Sequence, residues 1–191
     1  MLLADPPSLN ISFAQVLIAV AVVVAVVLVL ATLVLYATSR QYERGRSRHW
    51  LSKLAYGAYL FLIAALALTA FGSLLVTGQV LGYALLFHVA ASGGFVFLMV
   101  AIAFLYLPTG ADYADDRSGR REIWWAARWS AWALVVSSLV AAGTMLVSML
   151  PVLDTQGLLQ MATLHRYAGL AVVVSAIFHL YSLTCARLGW R

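Results

Sequence analysis

Five stretches of this chain, roughly residues 12–37, 51–77, 82–107, 129–150 and 161–186, are each apolar for the length a helix needs to cross a lipid bilayer. The hydrocarbon core takes about 20 helical residues. Inside it every backbone N–H and C=O must bond within its own segment, which leaves the α-helix as the solution for each stretch. The first stretch is the most telling. VLIAVAVVVAVVLVLATLVLY is rich in β-branched residues and would favour a strand in water, but no charge falls between Asp5 and Arg40, and that length decides for a helix in lipid. The start of the chain carries Asp5 and neither Lys nor Arg, and the apolar run outlasts the about 7–15 residues of a signal-peptide core, so a retained transmembrane helix is expected. The expected fold is an all-α integral membrane protein with five transmembrane helices.

The charges are few and sorted. Hydrophobic residues make up 64% of the 191 and charged residues 10%, which excludes an ordinary soluble globule. The net charge of +5 does not describe a nucleic-acid patch, because the basic residues fall between apolar stretches. Arg40, Arg44, Arg46, Arg48, Lys53, Arg117, Arg120, Arg121, Arg128, Arg187 and Arg191 belong to one side of a five-span topology, and Arg166 alone to the other. The positive-inside rule then puts the amino terminus outside and the carboxyl terminus inside. Trp124, Trp125, Trp129 and Trp132 cluster where the fourth stretch meets the inner interface, as an aromatic belt does. Cys185 is the only cysteine, so an internal disulfide, a CxxCH haem attachment and a four-thiolate iron–sulfur cluster are all excluded.

The only four histidines, His49, His88, His165 and His179, lie inside or at the edge of apolar stretches. An ionisable residue in a membrane is costly without a partner and is a functional candidate by default. The intervals are 39, 77 and 14 residues (88 − 49, 165 − 88 and 179 − 165). Topology gives each one a height: His49 at the inner face, His88 and His165 near the outer face, and His179 further in. Fourteen helical residues rise about 21 Å and return to within about 40° of the starting direction, so His165 and His179 share one face. Height then allows one pairing, His88 with His165 and His49 with His179, which suits two bis-histidine haems stacked across a membrane. Zinc fits less well, since two separated pairs lack a carboxylate or cysteine to complete either site. Gly93, Gly94 and Gly169 lie about one turn from a ligand position, where a small residue lets a flat macrocycle approach the backbone; such residues also serve helix packing. Arg48 and Arg166 each adjoin a ligand position, where a guanidinium can pair with haem propionates or simply mark the interface.

The segments RHW at 48–50, FHVAASGG at 87–94 and LHRYAGLAVVVSAIFHLY at 164–181 resemble the di-haem cytochrome b subunit of membrane-bound formate dehydrogenases and nickel–iron hydrogenases. The resemblance covers roughly residues 46–190. It implies a four-helix di-haem cytochrome b domain at residues 46–191, preceded at 1–45 by an added helix and a basic linker, in a bacterial cytoplasmic (inner) membrane. It further implies two b haems, with His49 and His179 on the inner one and His88 and His165 on the outer one. An iron–sulfur or multihaem partner would stand on the outer side, and a quinone would react near the inner haem. Two departures stand out. Family members typically have four membrane helices, and the formate dehydrogenase Asn-x-Gly-Gln segment is matched here by RSGRRE, in which Gly119 remains and Arg117 and Arg120 replace the amides.

Two other functions compete. A stand-alone haem b quinone oxidoreductase would use the same residues, although no soluble electron-entry domain is evident. A transporter or channel subunit would use the histidines as a proton or metal path, but residues 54–111 carry no charged side chain and no inverted repeat is visible.

Overall fold

A computed structural model describes residues 12–38, 50–106 and 121–188. His49 and Arg48, the RSGRRE segment up to Arg120, and most of the basic linker lie outside the described residues. Among the described residues the chain is all helical: α1 (Phe13–Thr38), α2 (Trp50–Ala67), a π-helical segment (Leu68–Gly72), α3 (Ser73–Thr77), α4 (Gly82–Tyr106), α5 (Arg121–Ser148) and α6 (Thr155–Leu188). Five spans are long and apolar enough to cross a membrane, with α2, the π segment and α3 forming one of them. The architecture is that of a multi-pass helical membrane protein.

Two antiparallel pairs make up the bundle. α5 packs closely along α6 and α2 along α4, while the two pairs meet each other more sparsely. Short connections close one end of both pairs. At the first, Gly78 caps α3 in the left-handed region at φ 76°, its N–H donating to Leu74 O at 3.0 Å, and Gly82 opens α4 at φ 59°. Glycine takes this conformation without the Cβ clash other residues meet. At the second, Pro151 follows α5, and Asp154 accepts from Gly157 N–H at 2.7 Å, satisfying one of the orphan donors at the start of α6. We call this the short-loop end. The opposite, basic end carries Lys53, Arg128 and Arg187.

The core is a layer halfway along the bundle. Tyr59, Ile63, Phe95, Met99, Ile102, Leu134, Ala141, Ala168, Val172 and Ala176 form one buried cluster. Tyr59 stacks on Phe95 with ring centres 5.4 Å apart and planes 10° apart, and its hydroxyl lies 3.2 Å from Ser138 Oγ. Both partners are shut off from surroundings, so this hydrogen bond satisfies two polar groups that lipid could not. Outward faces are largely apolar, as lipid contact requires: Val22, Val26, Leu30, Phe61, Phe97 and Phe104 are all exposed.

α1 lies against α6 rather than inside the bundle. Its Phe13 meets Tyr167 edge-on at 5.2 Å and Phe71 at 6.1 Å, and Thr32 Oγ1 lies 3.2 Å from Tyr181 Oη nearer the basic end. The two helices therefore run parallel, with α1 starting at the short-loop end.

Candidate functional site: two histidine layers

Above and below the middle layer sit the three described histidines. His88 on α4 and His165 on α6 occupy the short-loop side. Their ring centres are 6.3 Å apart and their planes stand 85° to each other. His179 lies fourteen residues along α6, on the basic side of the layer.

Both α6 rings are held in the same way by α5. His165 Nδ1 lies 2.9 Å from Ala141 O and 3.2 Å from Thr144 Oγ1 on α5. His179 Nδ1 lies 3.1 Å from Ala127 O and 3.1 Å from Ser130 Oγ, also on α5. A carbonyl oxygen only accepts, so both Nδ1 atoms carry the proton. The hydroxyls agree with this assignment, because Thr144 Oγ1 donates to Ala141 O at 2.8 Å and Ser130 Oγ donates to Ala127 O at 3.0 Å. Each hydroxyl has one proton, already used, and so accepts from the imidazole. The clamp is a carbonyl at one position with a hydroxyl three residues on.

The clamp repeats with the helix register. Thr144 and Ser130 are fourteen residues apart on α5 (144 − 130), as His165 and His179 are on α6 (179 − 165). Antiparallel neighbours with equal spacing meet twice in the same way.

His88 is held from the π-helical segment. Thr69 Oγ1 lies 3.0 Å from His88 Nδ1 while donating to Ala65 O at 2.8 Å and Leu66 O at 3.1 Å. The hydroxyl competes for carbonyls of its own helix, and the ladder widens there. Single π turns inside α-helices occur frequently at functional sites. As with the α5 clamps, the engaged hydroxyl leaves Nδ1 of His88 as the donor. In the neutral form of each ring the lone pair then resides on Nε2, across the ring from the clamp.

These rings can take a metal ion. A ligating imidazole nitrogen sits about 2.0–2.1 Å from its metal, so two imidazoles that share one ion stand close together. His88 and His165 are at 6.3 Å already. A metal-binding histidine also donates its other N–H to a fixed acceptor, which sets tautomer and orientation. That outer shell is in place for both rings. No group of three or more His, Cys, Asp or Glu capable of holding a metal ion occurs among the described residues. A cofactor that supplies its own equatorial ligands, as a porphyrin does, needs two protein ligands and no more.

The other residues singled out in the sequence are less constrained. Arg166 is exposed beside His165. Gly169 is half-buried one turn after His165, and a Cβ there would meet Phe71 Cζ at an ordinary 3.8 Å. Gly93 is exposed, with nothing within 4 Å of where a Cβ would stand, while a Cβ on Gly94 would lie 3.5 Å from Leu62. Packing among the described residues gives no reason for glycine at 93 or 169. Next to His179 stands a residue that sequence reading passed over: the Tyr56 ring meets His179 edge-on, centres 6.0 Å apart.

Compared with known proteins, the chain matches no family model, no curated protein and no solved structure.

Proposed function

We propose that this protein is a membrane cytochrome b: the electron-transfer subunit of a respiratory oxidoreductase complex, holding two b haems non-covalently. His88 and His165 would hold one haem, and His49 and His179 the other. The observation that carries this reading is the His88–His165 pair, two imidazoles from different helices brought to 6.3 Å with both Nδ1 donors tied to acceptors. Ring packing alone would not call for the same clamp on a third histidine at a second level.

When bound, the haems supply reversible one-electron chemistry. The chain's own work is positional. α6 sets the two levels about 21 Å apart through the fourteen residues between His165 and His179. α5 fixes the tautomer of both α6 histidines, and the π segment fixes that of His88. The middle layer built on Tyr59, Phe95 and Leu134 fills the space between levels with apolar side chains. A hydrogen bond from Nδ1 to a carbonyl makes Nε2 a stronger donor to iron, so the clamps also tune potential.

The sorting of basic residues supports a topology with the short-loop end outside and the basic end inside a bacterial cytoplasmic membrane. In that orientation electrons pass between an outer iron–sulfur or multihaem partner and a quinone at the inner side. The resemblance to the cytochrome b subunits of formate dehydrogenases and nickel–iron hydrogenases supports the same assignment through the RHW, FHVAASGG and HRY-to-FHL segments. Arg48 and Arg166 would pair with the propionates, and Gly93 and Gly169 would let the macrocycles approach. The experiment is a pyridine haemochrome assay on the purified protein with its reduced-minus-oxidised spectrum. Protein that is folded and carries no haem b overturns the proposal.

A further inference from the structure

Tyr56 is the one described residue with a buried side-chain polar atom that has no hydrogen-bond partner. Leaving a buried hydroxyl unpaired costs about 1–3 kcal/mol, and such groups in native proteins call for an explanation. The contrast with its neighbour is instructive. Tyr59, one turn further along α2, spends its hydroxyl on Ser138 in the middle layer. Tyr56 projects its own at the level of His179, against whose ring it packs edge-on at 6.0 Å. His179 cannot be the intended acceptor through Nδ1, because that nitrogen is a donor already committed to Ala127 O and Ser130 Oγ. Arg187 stands in the last turn of α6 at the same basic end, so a hydroxyl donor and a cation share that end. A donor and a cation together fit an oxygen acceptor carrying negative or partial negative charge.

We propose that the Tyr56 hydroxyl donates a hydrogen bond to an oxygen atom of a redox group bound beside His179. This rests on the cytochrome b reading and names a specific residue of its inner site. Two sources present that chemistry, a haem carboxylate and a quinone carbonyl. Tyr56 is a positioning residue toward the first and a substrate-binding residue toward the second.

Tyr56→Phe in the full-length purified protein tests this, with Tyr59→Phe as the control that removes an already bonded hydroxyl from the same helix. Both are read by haem stoichiometry, by redox titration of the two haems, and by the affinity for a short-chain naphthoquinone. Tyr56→Phe keeps both haems. With a haem carboxylate as acceptor, one haem potential moves to a lower value, since the lost donor no longer offsets the carboxylate charge, and quinone affinity stays. With a quinone carbonyl as acceptor, both potentials stay and naphthoquinone affinity falls about fivefold, the worth of one hydrogen bond of about 1 kcal/mol. Tyr56→Phe that matches wild type in both readouts overturns the proposal, and so does Tyr59→Phe producing the same change. Wild-type protein without haem overturns the cytochrome reading and this inference with it. Wild type with two haems beside an unaltered Tyr56→Phe overturns this inference alone.

Discussion

His88 and His165 meet edge-on, with ring centres 6.3 Å apart and planes 85° to each other. Their helices, α4 and α6, belong to different antiparallel pairs, so the contact spans the sparse seam between the pairs. Across that seam, each ring is turned by an acceptor on the helix beside it. Under the proposed function three consequences can be measured, and a fourth follows from the packing alone.

Removing either member of the pair removes the same haem. His88→Ala and His165→Ala are each expected to lower haem content from about two to about one per chain, and the double variant to lose no more than either alone. Haemochrome stoichiometry on the three variants checks this. Loss of both haems in each single variant, with the protein still folded, would count against independent levels.

Thr144 is expected to matter through His165 rather than by packing. Thr144→Val removes the hydroxyl, leaving Nδ1 on Ala141 O alone, and outer-shell losses of this kind weaken metal binding by about 10–100-fold. With the carbonyl retained, the lower end of that range applies. Thr144→Ser keeps the hydroxyl and restores affinity and potential. Haem titration of apoprotein distinguishes the two.

The near-perpendicular planes carry an electronic signature. Crossed imidazole π orbitals interact equally with two iron d orbitals and leave them close in energy, so a haem held by His88 and His165 with these ring planes kept would give a strongly anisotropic low-spin resonance. A rhombic signal from that haem, identified by its absence in His88→Ala, would mean the planes align when it binds.

The middle layer predicts a coupling independent of any cofactor. Tyr59→Phe and Ser138→Ala each break the 3.2 Å hydrogen bond, so their effects on stability should not add. Side-chain hydrogen bonds between membrane helices average about 0.6 kcal/mol by double-mutant cycle, and burial of both partners argues for at least that here. Thermal unfolding in detergent of the two single variants and the double variant gives the coupling directly.

The spans were legible because length and apolarity decide helix in lipid whatever the local propensity, as the valine-rich α1 illustrates. Their ends were less so. α5 starts at Arg121 and not near residue 129, because Trp125 and Arg128 continue the helix beyond the apolar stretch. α6 starts at Thr155 and not near 161, because Asp154 caps it there. The π turn at Leu68–Gly72 leaves no trace in hydropathy, since LTAFG would read equally well as ordinary helix. Thr69, Ser130 and Thr144 were missed for a related reason: a hydroxyl bonded back to its own helix is commonplace in a membrane span. One signal was available. The fourteen-residue interval between Ser130 and Thr144 copies that between His165 and His179, and only an antiparallel α5–α6 register gives the coincidence meaning. Tyr56 had no sequence signal at all; its orphaned hydroxyl is visible only once the helices are packed.

The most direct test of the central claim is haem itself. Pyridine haemochrome stoichiometry on purified, folded protein, taken with a dithionite-reduced-minus-oxidised spectrum, is expected to give about two haems b per chain. Folded protein with no haem would contradict the account and leave three clamped histidines to be explained by another chemistry.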